Sequence, residues 1–174
     1  GQHDACRGTH FYWNFKIDEF IANNKFHLTK AKARRKGFSY KRGSQAANTI
    51  NLFPNVTVTL AADQLAYLTD KGATTFMAKK CLDHFEEHTF WKRGYISEAI
   101  DDILMGYRVS TKGLKNFGWL SNLYSVAIGK NESAAVGKKA IEIDFEEAGK
   151  CPNLQKALDV TLSNTESGAI SVGT

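Results

Sequence analysis

The segment from Phe20 to Ala62 contains no acidic residue, and this absence constrains the possible folds more than any other feature of the sequence. Eight cations lie in its first half: Lys25, Lys30, Lys32, Arg34, Arg35, Lys36, Lys41 and Arg42. Charge at this density is costly unless water solvates it or an oppositely charged partner matches it. We therefore expect residues 25–43, which Gly37 and Gly43 interrupt, to form an exposed basic arm, loop or hairpin edge.

The rest of the chain is slightly acidic. Subtracting the eight clustered cations from the 23 Lys and Arg leaves 15 basic residues against 18 Asp and Glu, so the net charge of +5 belongs to one segment. The hydrophobic share of 43% is ordinary for a globular protein, which argues against disorder. The 174 residues predict a single globular domain over 1–174, with a polar tail at 163–174.

Hydrophobic periodicity predicts more helix than strand. Helices are predicted near residues 9–24, 61–71, 74–92, 97–108, 114–128 and 153–162. Strands are predicted at 55–60 and 140–145, and the tail is predicted to be a loop or a weak terminal strand. Because the strands are few and far apart, the predicted class is α+β: a helix-dominated single domain with a small sheet and an N-terminal basic arm or loop.

The basic segment is typical of a surface that contacts nucleic acid or another polyanion. Cations displace the counterions of a phosphate backbone, arginine forks match phosphate oxygens, and aromatic faces stack on unpaired bases. The candidate nucleic-acid-binding residues are Lys30, Lys32, Arg34, Arg35, Lys36, Phe38, Tyr40, Lys41 and Arg42. The alternatives are a solvated loop, an edge strand protected by lysines, or a surface for an acidic protein or lipid.

A second candidate site lies on the predicted helix over 74–92. At helical spacing, Cys81, His84 and His88 fall within about 60° of one another around the axis, so they share one face. Three such ligands could hold zinc and leave a fourth position open. The alternative is that the two histidines are partly buried residues of a core or groove. No cofactor is otherwise predicted.

Residues 84–88 also match the pattern H-x-x-E-H and resemble the inverted zinc-peptidase motif. This resemblance implies that His84 and His88 ligate zinc and that Glu87 is the general base. It covers five residues of the chain, and nothing in the sequence marks the further acidic ligand such enzymes need. The helix is therefore interpreted mainly as a structural element.

Acidic residues alternate along the predicted strand at 140–145. The set is Glu142, Asp144, Glu146 and Glu147. Such carboxylates could bind a divalent metal or act in acid–base chemistry, but they are interpreted as the solvated face of a half-buried strand. They could also meet the basic segment of a second copy, which would give head-to-tail assembly. The nucleotide-binding and nucleophile patterns GxGxxG, GxxxxGK[ST] and GxSxG do not occur.

Three cysteines, Cys6, Cys81 and Cys151, bear on the cellular compartment. An odd number leaves one thiol unpaired in a monomer, which favours a reducing compartment. No apolar run approaches the length of a membrane-spanning helix, and the N-terminus lacks the pattern of a signal peptide. The expectation is a soluble protein without a membrane span, intracellular or in a virion rather than secreted.

These features together predict a non-enzymatic protein that binds nucleic acid or assembles with copies of itself, for example a viral or phage nucleoprotein or coat subunit. The first alternative is a small metal-dependent hydrolase or zinc-binding module centred on Cys81, His84 and His88. The second is a secreted interaction protein with paired cysteines. The expected partners are nucleic acid or another polyanion and, for a structural subunit, further copies of the chain.

Overall fold

The computed structural model describes residues 5–31, 37–90, 93–97, 99–110, 113–129, 134, 139–162 and 165–173. Its helices are α1 (Ala5–Asn24), α2 (Phe38–Leu52), α3 (Ala66–Thr69), α4 (Thr74–His88) and α5 (Leu154–Leu162). Its strands are β1 (Leu28–Lys30), β2 (Thr57–Ala62), β3 (Tyr95–Ile96), β4 (Asp102–Met105), β5 (Tyr107–Ser110), β6 (Leu114–Phe117), β7 (Asn122–Ala127), β8 (Ala140–Phe145) and β9 (Thr165–Gly173).

The described strands form one seven-stranded sheet and one separate hairpin. The order in the large sheet is β1-β9-β8-β2-β7-β4-β3, and β5 pairs with β6 outside it. Strands β1, β9, β8, β2 and β7 are parallel to one another, whereas β4 and β3 are antiparallel additions. All five parallel strands therefore end at the same edge, called here the carboxyl edge, and begin at the opposite, amino edge.

Each face of the sheet carries its own apolar core. On one face, Ile50 of α2 and Ala78 of α4 pack with Leu60 of β2. On the other face, Ala157 of α5 packs with Ile143 and Phe145 of β8. Because successive side chains of a strand point to opposite faces, the alternate residues of β8 lie toward α2. Those alternate residues are charged, and they build much of the site described below.

The predicted α+β class, with more helix than strand, is confirmed, and its sheet has seven strands. The predicted strands correspond to β2 and β8, and the predicted helices at 74–92 and 153–162 correspond to α4 and α5. The polar tail contains β9, which lies between β1 and β8. Residues 25–43 contain β1 and the first turns of α2, while residues 32–36 lie outside the described residues.

Two predicted helices are wrong. Residues 97–108 contain β4 and β5, and residues 114–128 contain β6 and β7. The run Ile103 to Met105 is buried, and a short continuous apolar run fits an interior strand as well as a helical stripe. The breaks at Gly106 and Gly118, which have φ of 151° and 105°, decide for strands because a helix requires negative φ.

The crossing of α2 over α4 depends on Gly43. A Cβ at this position would lie 2.7 Å from Met77 Cβ and 2.8 Å from Ala78 N and Thr74 O. Gly43→Ala is therefore expected to lower the free energy of unfolding by about 1 to 3 kcal/mol, because overpacking outweighs the gain in helix propensity. Denaturant unfolding measures the change. Gly149→Ala, where the added Cβ meets no atom within 4 Å, is the control, and a stable Gly43→Ala variant would contradict the close packing.

In the part of the chain that the structure describes, no helix is both long enough and apolar enough to cross a membrane.

Candidate active site

Three chain segments that follow parallel strands meet at the carboxyl edge. The segment after β1 leads to the start of α2, the segment after β8 begins with Glu146 and Glu147, and the segment after β2 leads through α3 to Thr74 at the start of α4. In open sheets of parallel strands, ligands bind outside the carboxyl ends of the strands. This edge therefore brings a basic segment and two carboxylates to the place where such a fold binds its ligand.

Glu146 is held in place at the end of β8. Its side chain is buried, with only 4% of the residue exposed, and its carboxylate accepts a hydrogen bond from Thr74 Oγ1 at 3.1 Å. Its backbone N–H donates to the carbonyl of Ala61 at 2.8 Å. The carboxylate is thereby fixed between the end of the sheet and the first turn of α4.

Glu147 occupies a strained backbone position beside it. Its φ of 52° and ψ of 37° are left-handed, a conformation that costs a residue other than glycine on the order of 1 to 3 kcal/mol. Its carboxylate is partly exposed and lies 3.2 Å from Lys150 Nζ. Glycine would adopt this backbone more cheaply, so the glutamate is retained at a conformational cost. Strain of this kind is concentrated at functional sites.

The start of α2 offers a site for an anion. Gly37 precedes the helix in a left-handed conformation, with φ of 72°, and no side chain caps the first turn. Uncapped N–H groups and the helix dipole both favour negative charge at a helix N-terminus. In the sequence, Lys32, Arg34, Arg35 and Lys36 immediately precede this point, although residues 32–36 lie outside the described residues.

Asp18 of α1 connects both flanks of this basic segment. Its carboxylate accepts hydrogen bonds from Lys30 at the end of β1 and from Lys41 in the first turns of α2. Gln45 Nε2 donates to it at 2.8 Å. Burial alone would raise the pKa of Asp18, but these hydrogen bonds outweigh burial and lower it. Burial lowers the pKa of Lys41 to about 8, against the opposing effect of Asp18.

Arg42 ties α2 to β8. Its side chain is only 3% exposed, and its two terminal nitrogens lie 3.2 Å from Glu142 Oε1 and 3.0 Å from Asp144 Oδ1. Burial alone would lower the pKa of Arg42, but the charges of Asp144 and Glu142 outweigh burial and raise it. The charge of Asp144, together with burial, raises the pKa of Glu142 to about 7. This planar fork therefore fixes the start of α2 over the strand that ends in the two glutamates.

Several residues predicted to bind nucleic acid are not accessible for that role. Phe38, Lys41 and Arg42 are buried, and Lys30 lies against Asp18. Lys30 Nζ, Lys41 Nζ and Arg42 Cζ lie 5.4, 5.8 and 5.8 Å from the centre of the Phe38 ring. Acidic residues distant in sequence compensate these cations. Tyr40 is exposed, and the remaining candidates lie outside the described residues.

The interpretation of the β8 carboxylates as a solvated face is also wrong. Asp144 and Glu146 are buried, with 3% and 4% of each residue exposed. Asp144 lies beside the buried Arg42, and Glu146 is bonded to Thr74. The strand itself was predicted correctly, but its charged face packs against α2 because that helix supplies a cation.

The structure does not assemble the predicted zinc site. Among the described residues, no three His, Cys, Asp or Glu side chains are grouped to hold a metal ion. The rings of His84 and His88 lie 4.5 Å apart, whereas Cys81 Sγ lies 3.3 Å from Ser44 Oγ at the contact with α2. Glu87 is exposed, and its carboxylate lies 3.5 Å from His88 Nε2. Cys81 and Cys151 are free thiols.

Sequence reasoning did not identify Gly37, Ser39, Glu146 and Glu147 as a set. The phosphate-binding pattern is G-x-x-x-x-G-K-[ST], and residues 32–39 keep its second glycine and its serine as Gly37 and Ser39. Lys32 stands at the first glycine and Phe38 at the lysine, so a search for the full pattern fails. The usable signal was a basic segment between a short strand and a helix, together with a strand that ends in paired glutamates.

No protein-family model matches the sequence, and no curated protein matches it. The structure is similar to the ATPase domain of the large terminase of Thermus phage P74-26, with a TM-score of 0.62 and 16% identity over 86% of this chain and 59% of that one. It is also similar to the large terminase of another thermophilic bacteriophage, with a TM-score of 0.57 and 15% identity over 87% of this chain and 34% of that one. A structure of this second terminase in complex with ADP gives a TM-score of 0.54 at 12% identity, over 84% and 33% of the two chains.

These likenesses show the fold and correct the functional prediction from the sequence. The similar structures include ATPase domains, which are enzymes, so the prediction of a non-enzymatic structural protein of virions that works by self-assembly is wrong. The chain spans about 59% of the length of the P74-26 domain and about a third of the second terminase.

Proposed function

We propose that this chain is the nucleotide-binding part of an ATPase domain and that it binds and hydrolyses ATP at the carboxyl edge. The observation that carries the proposal is the placement of Glu146 and Glu147 on the same edge as the uncapped, basic start of α2. The likeness to large terminases, one of them solved with ADP, supports it. Hydrolysis joins anionic phosphates to an attacking water, and this edge offers positive charge for the first and carboxylates for the second.

The phosphates are proposed to bind at the loop between β1 and α2. Backbone N–H groups of the first turn of α2 point toward an anion placed there. The pattern's lysine is replaced by Phe38, so the cations that neutralise the phosphates come from Lys32, Arg34, Arg35 and Lys36. The ion pairs of Asp18 with Lys30 and Lys41 hold both flanks of this loop.

Glu147 is proposed as the base that orients and deprotonates the attacking water. Its carboxylate is partly exposed, whereas that of Glu146 is buried, so Glu147 is the one that water can reach. Lys150, 3.2 Å away, favours its ionised form, which is the form a base requires. Glu146 contributes a fixed negative charge whose direction Thr74 sets.

Magnesium normally accompanies ATP, and the donors at this edge suit it. Magnesium prefers carboxylate and hydroxyl oxygens and retains several waters, and Glu146 and Ser39 supply such oxygens. When bound, the ion neutralises charge on the phosphate oxygens.

A nucleic-acid partner remains part of the proposal. The cations of the basic segment are either paired inside the fold or assigned to the nucleotide phosphates. A nucleic acid must therefore contact a different surface of the chain.

Titration with a fluorescent ATP analogue in the presence of magnesium tests nucleotide binding. We expect saturable binding at one site, competed by ADP. Replacing Arg34, Arg35 and Lys36 together by alanine should weaken binding at least tenfold, because hydrogen bonds to charged groups contribute about 1.5 to 3 kcal/mol each. Lys71, Lys80 and Lys156, replaced together by alanine, remove the same charge elsewhere. An absence of saturable binding, or an equal loss in both variants, would contradict the proposal.

A further inference from the structure

The hairpin formed by β5 and β6 projects from the edge opposite the candidate active site. Strand β4 runs antiparallel to β7, so it ends at the amino edge, where β7 begins. The hairpin leaves the sheet between these two points and pairs only within itself among the described strands. A ligand of the hairpin would therefore not compete with a ligand at the carboxyl edge.

The neck of the hairpin is too narrow for side chains. A Cβ at Gly106 would lie 2.3 Å from the carbonyl oxygen of Phe117, and a Cβ at Gly118 would lie 3.1 Å from Gly106 Cα. Directly above the neck, the rings of Tyr107 and Phe117 stack across the strands with centroids 5.9 Å apart. The two residues remain 59% and 42% exposed. The hairpin is thus a thin ribbon stiffened by a cross-strand aromatic pair.

The ribbon is positively charged on both faces. The sequence has no acidic residue from Ile103 to Asn131, and the hairpin contains Arg108 and Lys115, with Lys112 in the turn outside the described residues. Arg108 pairs in register with Asn116, and Lys115 pairs with Val109, so the two cations lie on opposite faces. Arg108 Nε donates to Asn116 Oδ1 at 3.0 Å, which holds the guanidinium along the ribbon.

We propose that this hairpin is a docking element for duplex DNA and enters the major groove as a two-stranded ribbon. The major groove of B-form DNA, about 12 Å wide, admits such a ribbon. Cations on opposite faces would then meet phosphates on opposite walls of the groove. The major groove of A-form RNA is deep and too narrow for side chains to read, so DNA is the matching duplex. This surface is independent of the proposed nucleotide site.

Fluorescence anisotropy with a labelled duplex DNA of about two helical turns tests the proposal. Arg108→Gln/Lys115→Gln should weaken binding about tenfold or more near 100 mM salt and lower the log–log salt slope by about two, because each removed cation leaves one phosphate unneutralised. The control Lys80→Gln/Lys156→Gln removes the same charge from exposed positions on α4 and α5. We expect it to change affinity less than about threefold and to leave the slope unaltered.

Two further measurements separate the possible explanations. An RNA duplex of the same sequence should compete poorly, and equal competition by RNA would overturn the groove geometry. Tyr107→Ser/Phe117→Ser keeps the charge but removes the aromatic pair, and it should also weaken DNA binding. Equal losses in the hairpin and control variants, or no binding of duplex DNA by the wild-type chain, would overturn the proposal. Nucleotide titration of the same variants should be unchanged, so failure here is distinguishable from failure of the proposed ATPase.

Discussion

Replacing Arg42 by methionine is expected to lower the free energy of unfolding by about 3 to 5 kcal/mol. The substitution keeps an unbranched side chain of similar length but removes the cation that lies 3.2 Å from Glu142 and 3.0 Å from Asp144. Two carboxylates would then face each other beneath α2 without their buried partner, and breaking a buried ion pair leaves an uncompensated charge. Denaturant unfolding at neutral pH measures the loss.

A neutral version of the same cluster provides the control. Arg42→Met/Glu142→Gln/Asp144→Asn removes all three charges, and it should recover most of the lost stability because no isolated charge remains. Arg42→Lys should recover less, since a single ammonium cannot donate to two carboxylates as a planar guanidinium does. A loss below about 1 kcal/mol for Arg42→Met, or no recovery in the neutral variant, would show that the ion pairs do not fix α2 to β8.

The charge of the acid-free segment was evident from the sequence, but its compensation was not. Asp18 precedes the segment and meets Lys30 and Lys41 only because α1 packs beside β1 and α2. Glu142 follows Arg42 by 100 residues and meets it only because β8 lies beneath α2. Local composition measures how much charge a segment carries, whereas burial depends on partners from elements that are distant in sequence.

The same limit explains the error on the face of β8. Alternation of Ile141, Ile143 and Phe145 with acidic residues correctly predicted a strand, because the period of a strand is local. Which face is wet depends on what packs there. With Arg42 inserted from α2, the acidic face became buried, and carboxylates interpreted as solvated became the wall of the candidate site.

The paired glutamates at the end of β8 could be read in the sequence, but their role could not. Sequence alone does not show that β8 lies parallel to β1 with β9 between them, or that the segment after each strand emerges at the same edge. Only this topology places Glu147 on the edge where α2 begins. The substitution of Phe38 at the lysine of the phosphate-binding pattern removed the one local clue that would have connected the two segments.

Glu147→Gln is expected to lower the rate of ATP hydrolysis by a factor of about 10² to 10⁴ while leaving nucleotide affinity within about threefold of the wild type. Glutamine keeps the size and hydrogen-bonding reach of the side chain at this left-handed position but cannot accept the proton of the attacking water. A residue that acts as the base affects the chemical step, whereas a residue that only shapes the loop would change binding as well. Phosphate release under saturating ATP, with a separate equilibrium titration, distinguishes the two.

Glu87→Gln is the matched control, because it makes the same chemical change at an exposed position on α4 and should leave hydrolysis unaltered. Glu146→Gln supplies the second comparison. Its carboxylate is buried against Thr74, so the amide should disturb the hydrogen bond and lower stability as well as rate, whereas Glu147→Gln should lower rate alone. Parallel losses of stability in both variants would assign Glu147 a structural role. Wild-type binding without hydrolysis would restrict this edge to nucleotide binding, and the strain at Glu147 would then require a cause other than catalysis.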